Sequence, residues 1–163
     1  MEHDKRPYIE IYFENHEKLI TLLDTGAETN VISYSIVGFL KLDNYFTPFK
    51  TELRGIGGKK SIIGNLDVPV SFDTGTTGTI VSFRVMDDNE YEAILGIKFM
   101  EDYGIVINVN ERFIIVEKQE SLVIPFVKLD QYKKFENEYL LKQVYRDFPT
   151  GLLDLHEAVL GTA

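Results

Sequence analysis

The chain has 163 residues, 44% of them apolar, with 11 Phe and 9 Tyr, enough for one packed domain and a short appendage. A formal charge of −9 argues against binding nucleic acid or an anionic membrane through a basic surface. No cysteine is present, which excludes disulfides, thiolate metal sites and thiol nucleophiles.

The first residues, Met1-Glu2-His3-Asp4-Lys5-Arg6, lack the apolar stretch of a signal peptide, and no later run approaches the length of a membrane span. An intracellular, cytoplasmic setting is therefore expected. From Pro7 to about Phe126, short apolar runs alternate with turn residues. Expected strands are Tyr8–Phe13, Lys18–Leu23, Val31–Ile32, Thr51–Arg54, Lys60–Ile63 and Leu66–Phe72. Thr79–Val85, Ala93–Leu95, Ile105–Asn108, Arg112–Val116 and Leu122–Phe126 continue the series. Many short strands bounded by Gly, Asn and Asp read as an all-β barrel or sandwich. Asn15-His16 and Asn108-Val109-Asn110 are placed as hairpin turns, and one short helix fits Ile97–Tyr103, capped by Gly104. After Val127 the pattern changes. Leu129, Tyr132, Phe135, Tyr139-Leu140, Val144 and Phe148 recur at helical spacing, stopped by Pro149 and Gly151. Residues 7–127 thus read as one domain and 128–163 as a helical extension or linker.

Catalytic candidates are few. His3, His16 and His156 are scattered and read as plain surface residues, with no metal-binding helix pair or calcium loop, so neither metal nor cofactor is expected. No Gly-x-Ser-x-Gly elbow supports serine chemistry. What stands out is Asp24-Thr25-Gly26, where the apolar run Leu19–Leu23 leads straight into an acid followed by a glycine turn. A carboxylate at the end of a core strand must be compensated by hydrogen bonds or placed there for chemistry. Small neighbours, Gly26 and Ala27, allow another backbone or a substrate to approach. The same three letters recur at Asp73-Thr74-Gly75, but there the setting is polar and glycine-bearing, as in an exposed hairpin tip.

Two further segments bear on Asp24. Gly55-Ile56-Gly57-Gly58 lies between two strand-like arms, as in a tight turn or a hairpin that closes over a ligand. It is not a Walker phosphate loop, because Leu53 and Lys60 stand where that loop needs Gly and Ser or Thr. Ile94-Leu95-Gly96 is a buried strand running into a glycine and then a helix.

In this order and spacing, Leu22–Thr29, Gly55–Gly58 and Ile94–Gly96 resemble the retropepsins, the retroviral-type aspartic proteases, in particular those of long-terminal-repeat retrotransposons. The resemblance covers roughly residues 7–127 and extends to Phe99-Met100, Tyr103-Gly104, Ile107 and Ile124-Pro125-Phe126. It implies a closed acid-protease barrel and a homodimer in which each chain gives one Asp24 to a shared site. Thr25 would brace the site across the interface, with Gly26 in the active-site loop. Ala27 and Glu28 would line the peptide cleft, and Gly55, Ile56, Gly57 and Gly58 would form the flap. The implied substrate is a polyprotein, cut in the cytoplasm or within virus-like particles; the alternative is an inactive dimerisation or peptide-binding module of the same fold. One departure is Ile97-Lys98 after Gly96, where the family commonly has an Arg or Asp, leaving a Lys98–Glu28 pair as the substitute brace. Only 49 residues separate Asp24 from Asp73, too few for a second lobe, so both halves of the site are not expected from one chain.

Overall fold

The structure, a computed structural model, describes residues 6–49, 61–73, 78–87 and 93–128. The calls on Thr51–Arg54, on the Gly55–Gly58 hairpin and on the helices after Val127 lie outside these residues, apart from Lys128.

Strands β1 (Tyr8–Phe13) and β2 (Lys18–Leu23) form the first hairpin, in register from Tyr8↔Leu22 to Tyr12↔Lys18. His16 takes a left-handed φ of 67° in the turn between them. The chain continues through β3 (Val31–Ser33), helix α1 (Tyr34–Phe39), a 3-10 turn (Asp43–Tyr45) and β4 (Phe46–Pro48). Next come the long strands β5 (Ile62–Ser71) and β6 (Thr79–Met86), then β7 (Ala93–Leu95) and helix α2 (Ile97–Tyr103). The last strands are β8 (Ile105–Asn108), β9 (Phe113–Val116) and β10 (Leu122–Pro125).

Hydrogen bonding runs in the order β1-β2-β7-β3-β6-β5, and β5 returns to β1 at Tyr12↔Ser71 and Phe13↔Val70. Six strands therefore close into a barrel, which removes the exposed edges of an open sheet. Strand β4 lies outside the ring as an extra partner of β5. Alternation fills the interior: Ile9, Ile11 and Phe13 from β1, Leu66, Val68 and Val70 from β5, and Val81, Phe83 and Val85 from β6 are all buried. Strands β8, β9 and β10 form a separate antiparallel sheet, tied to the barrel where the Val127 amide donates to the Tyr8 carbonyl at 2.8 Å.

The expected all-β barrel is present, and α2 has the expected span, with Gly104 as a left-handed cap at φ 62°. Two details differ. The runs expected as separate strands, Lys60–Ile63 and Leu66–Phe72, belong to one strand from Ile62 to Ser71, with a register shift at Gly64. A side chain at position 64 would meet the Thr47 carbonyl and the Phe46 ring, so this glycine admits β4 at a bulge and does not end the strand. Helix α1 was not expected, since it is short and carries the β-branched Ile36 and Val37 together with Gly38. Tertiary burial holds it: Ile36, Val37, Leu40 and Leu42 are at most 2% exposed.

Candidate active site

Asp24 is placed by the end of the β2–β7 ladder. The parallel register Leu22↔Ile94 and Leu23↔Leu95 is extended by the Asp24 amide, which donates to the Leu95 carbonyl at 3.0 Å. The chain then turns: the Ala27 amide donates to the Asp24 carbonyl at 3.1 Å, and the Gly26 amide to Asp24 Oδ1 at 2.9 Å. The carboxylate thus ties down its own loop through one oxygen, while Oδ2 accepts no hydrogen bond from the described residues. Asp24 and Ala27 are half-buried, whereas Thr25, Gly26 and Glu28 are exposed. Compensation for Asp24 therefore comes from one amide and from solvent.

The loop is clamped from behind. Asn30 Oδ1 accepts from the Gly96 amide at 2.9 Å, and Asn30 Nδ2 donates to the Ser82 carbonyl at 3.0 Å. Its own carbonyl takes the Arg84 amide at 2.9 Å, and the Ile97 amide donates to the Ala27 carbonyl at 2.7 Å. One asparagine thereby joins the active-site loop, β6 and the start of α2. Gly96 is required by this packing, because a Cβ there would stand 2.6 Å from the Ala27 carbonyl oxygen.

Sequence reasoning missed Asn30. The available signal was a lone amide residue just ahead of the apolar pair Val31-Ile32, on a loop that has to satisfy a buried turn. Lys98 and Glu28 do line one cavity, but no ion pair joins them. The bracing rests on Asn30. The Thr25 hydroxyl makes no hydrogen bond to the described residues, so the loop geometry within one chain comes from Asp24 and Asn30.

Asp73 is exposed at the start of the β5–β6 connection, and its carbonyl accepts from Ser71 Oγ at 2.7 Å. Strand β1 measures its separation from Asp24. Tyr8 pairs with Leu22 near Asp24, whereas Tyr12 pairs with Ser71 near Asp73. Four strand residues at about 3.3 Å each keep the two acids at opposite ends of β1. Tyr12 feels Asp73 as well: burial, the nearby Glu10 and then Asp73 raise its phenol above the usual 10.0.

Gly55, Ile56, Gly57 and Gly58 lie outside the described residues, but the root of their connection is fixed. Pro48 pairs with Gly64, the Phe49 amide donates to the Ile63 carbonyl at 3.0 Å, and the Asp87 amide donates to the Ser61 carbonyl at 2.8 Å. Phe49 and Ser61, which flank residues 50–60, are therefore each held by a backbone hydrogen bond. Among the described residues no group of three or more His, Cys, Asp or Glu is arranged to hold a metal ion. None of the described helices is long and apolar enough to cross a membrane.

No protein-family model matches the chain. Among solved structures, the retroviral protease-like domain of Ddi1 from Leishmania major superposes with a TM-score of 0.64 at 15% identity, over 75% of this chain and 94% of that one. The chain has the retropepsin-like fold. Two other retropepsin-like structures also match. The EIAV protease in complex with the inhibitor HBY-793 gives a TM-score of 0.46 at 27% identity, over 62% of this chain and 90% of that one. A retropepsin-like aspartic protease from Rickettsia conorii gives 0.45 at 20%, over 62% and 75%. On this retropepsin-like fold, Asp24 occupies the loop that β2, β7 and α2 hold together.

Proposed function

We propose that the chain is an aspartic endopeptidase of the retropepsin type, with residues 7–127 as its protease domain, and that it acts as a homodimer. The observation that carries this reading is the state of Asp24: it is held on a braced loop through Oδ1, with Oδ2 turned to no partner among the described residues. A second Asp24 from another copy would supply the missing half. The Thr25 hydroxyl, without a hydrogen bond to the described residues, fits a role across that interface.

Two carboxylates a few ångströms apart cannot both ionise cheaply, so the pair retains one proton. The ionised member removes a proton from a bound water, which attacks the scissile carbonyl. The protonated member donates to the carbonyl oxygen, and the resulting tetrahedral diol collapses as the amine leaves with a proton. Ala27 and Glu28 would meet the substrate backbone, and the Gly55–Gly58 hairpin would cover it. The substrate is an extended polypeptide, such as a junction in a polyprotein.

The test is cleavage of a peptide library at mildly acid pH by the full-length chain. Pepstatin-sensitive cleavage is expected, abolished by Asp24→Asn and nearly unchanged by Asp73→Asn. Absence of cleavage at micromolar chain between about pH 4 and 7 would overturn the proposal.

A further inference from the structure

Next to the active-site loop, β6 and α2 enclose a groove of about 390 Å³ that excludes Asp24 and shares Glu28 with the proposed peptide cleft. Its floor is a stretch of strand with one free side among the described residues. Strand β3 pairs with β6 only from Arg84 to Met86, so the edge from Thr79 to Phe83 has β5 on one side and the groove on the other.

The direction of the backbone groups follows from the ladder. The Arg84 amide donates to Asn30, away from β5, so in an antiparallel pair the residues two and four positions earlier also turn away from β5. Pro69, which has no amide hydrogen, stands opposite Ile80, as that alternation requires. The Ser82 carbonyl is taken by Asn30 Nδ2. The Ile80 amide and carbonyl and the Ser82 amide remain directed at the groove, and Ile80 is 60% exposed.

Two further observations concern what the groove would hold. Tyr103, only 9% exposed, lines it with a buried Oη that has no hydrogen-bond partner among the described residues. Burial raises this phenol above its usual 10.0; Thr79 tempers the rise without reaching hydrogen-bonding geometry, and Asp102 adds to it. It is thus a neutral donor at physiological pH, lacking an acceptor. The charged lining is Glu28, Asp67 and Asp102 against Lys98 and Arg84, so acids outnumber bases within a chain of net charge −9.

We propose that this groove docks an extended, basic peptide segment, which adds as a strand to the free edge of β6. The peptide's carbonyls accept from the Ile80 and Ser82 amides, and one of them, or a side-chain oxygen, satisfies Tyr103 Oη. A lysine or arginine of the peptide lies against Asp67 and Asp102. Main-chain bonds give affinity in such strand addition, and alternate side chains give selectivity. The site does not depend on the Asp24 chemistry.

The test uses the full-length Asp24→Asn chain, so that the probe is not cut. The probe is the fluorescent, end-blocked hexapeptide Thr-Lys-Val-Lys-Val-Thr, followed by anisotropy and by amide NMR. Saturable binding is expected, with shifts at the Ile80 and Ser82 amides. Binding should weaken by about tenfold or more when alternate peptide amides are N-methylated or when both lysines become glutamates. Ile80→Pro removes a donor that the barrel does not use and should weaken binding to a similar degree. Tyr103→Phe should weaken it several-fold, and this arm stands if Ile80→Pro fails to fold. Absence of saturable binding, equal binding of the N-methylated probe, displacement by pepstatin, or shifts that avoid β6 would each overturn the proposal.

Discussion

Asp24 ends β2 with a carboxylate that holds the Gly26 amide, but Asn30 decides whether it stays in place. Replacing Asn30 with alanine strands the Gly96 amide and the Ser82 carbonyl together. Each unsatisfied group costs about 1–3 kcal/mol when shielded from water; Gly96 is buried and Ser82 is exposed, so most of the loss of about 2 kcal/mol expected in urea unfolding comes from the Gly96 amide. Peptidase activity should fall further than stability, because the same bonds aim the loop proposed as catalytic. Tyr103 behaves in the opposite way. Its Oη has no partner, so Tyr103→Phe should leave unfolding at neutral pH unchanged or slightly improved. Because its folded-state pKa is raised, the native state keeps a proton that the unfolded chain loses near pH 10. Stability is therefore full below that point and falls as pH rises beyond it. Unfolding between about pH 9 and 11 should show a shallower decline in Tyr103→Phe than in the parent.

At the scale of elements, α2 is positioned by contacts at its first turn, against a loop 66 residues earlier in the chain, where the Gly96 amide meets Asn30. Its buried face stacks Phe99 on Tyr103 at 4.5 Å between ring centroids, with Phe72 edge-on to Tyr103 at 5.5 Å. Gly96→Ala would push a methyl group into the Ala27 and Thr29 carbonyls. Overpacking of that kind costs about 1–3 kcal/mol, and the exposed loop, not the buried face of the helix, should be the part that moves. The expected result is a modest fall in the denaturation midpoint with a disproportionate loss of cleavage. Pattern alone revealed α2, because Gly96, the buried Phe99 and Met100 and the glycine cap mark both ends. It did not reveal α1, whose residues prefer extended structure and whose burial is decided by strands distant in sequence.

For the whole molecule, the proposed site is complete only when two chains meet, and mixing separates this from a one-chain site. With Asp24→Asn added in equal amount at constant total chain, random pairing leaves about one quarter of dimers with both acids, against one half of the sites if each chain worked alone. Steady-state cleavage after full exchange should therefore fall to about a quarter of the parent value. A fall to one half would place the entire site within one chain.

By itself, the sequence determined most of the strands, the placement of α2 and the different local settings of the two acidic triplets. Each of these is local: alternation of apolar residues, turn chemistry and the neighbours of an acid are all written within a few positions. The tertiary structure decided three things that no local pattern carries. It made Gly64 a bulge instead of a break, since the reason for that glycine is Phe46 on another strand. It assigned the bracing of the active-site loop to Asn30 and not to a Lys98–Glu28 pair, because hydrogen-bond partners 52 and 66 residues away become neighbours only when the barrel closes. It also left the edge of β6 beside α2 without a partner strand among the described residues, a consequence of where β3 begins.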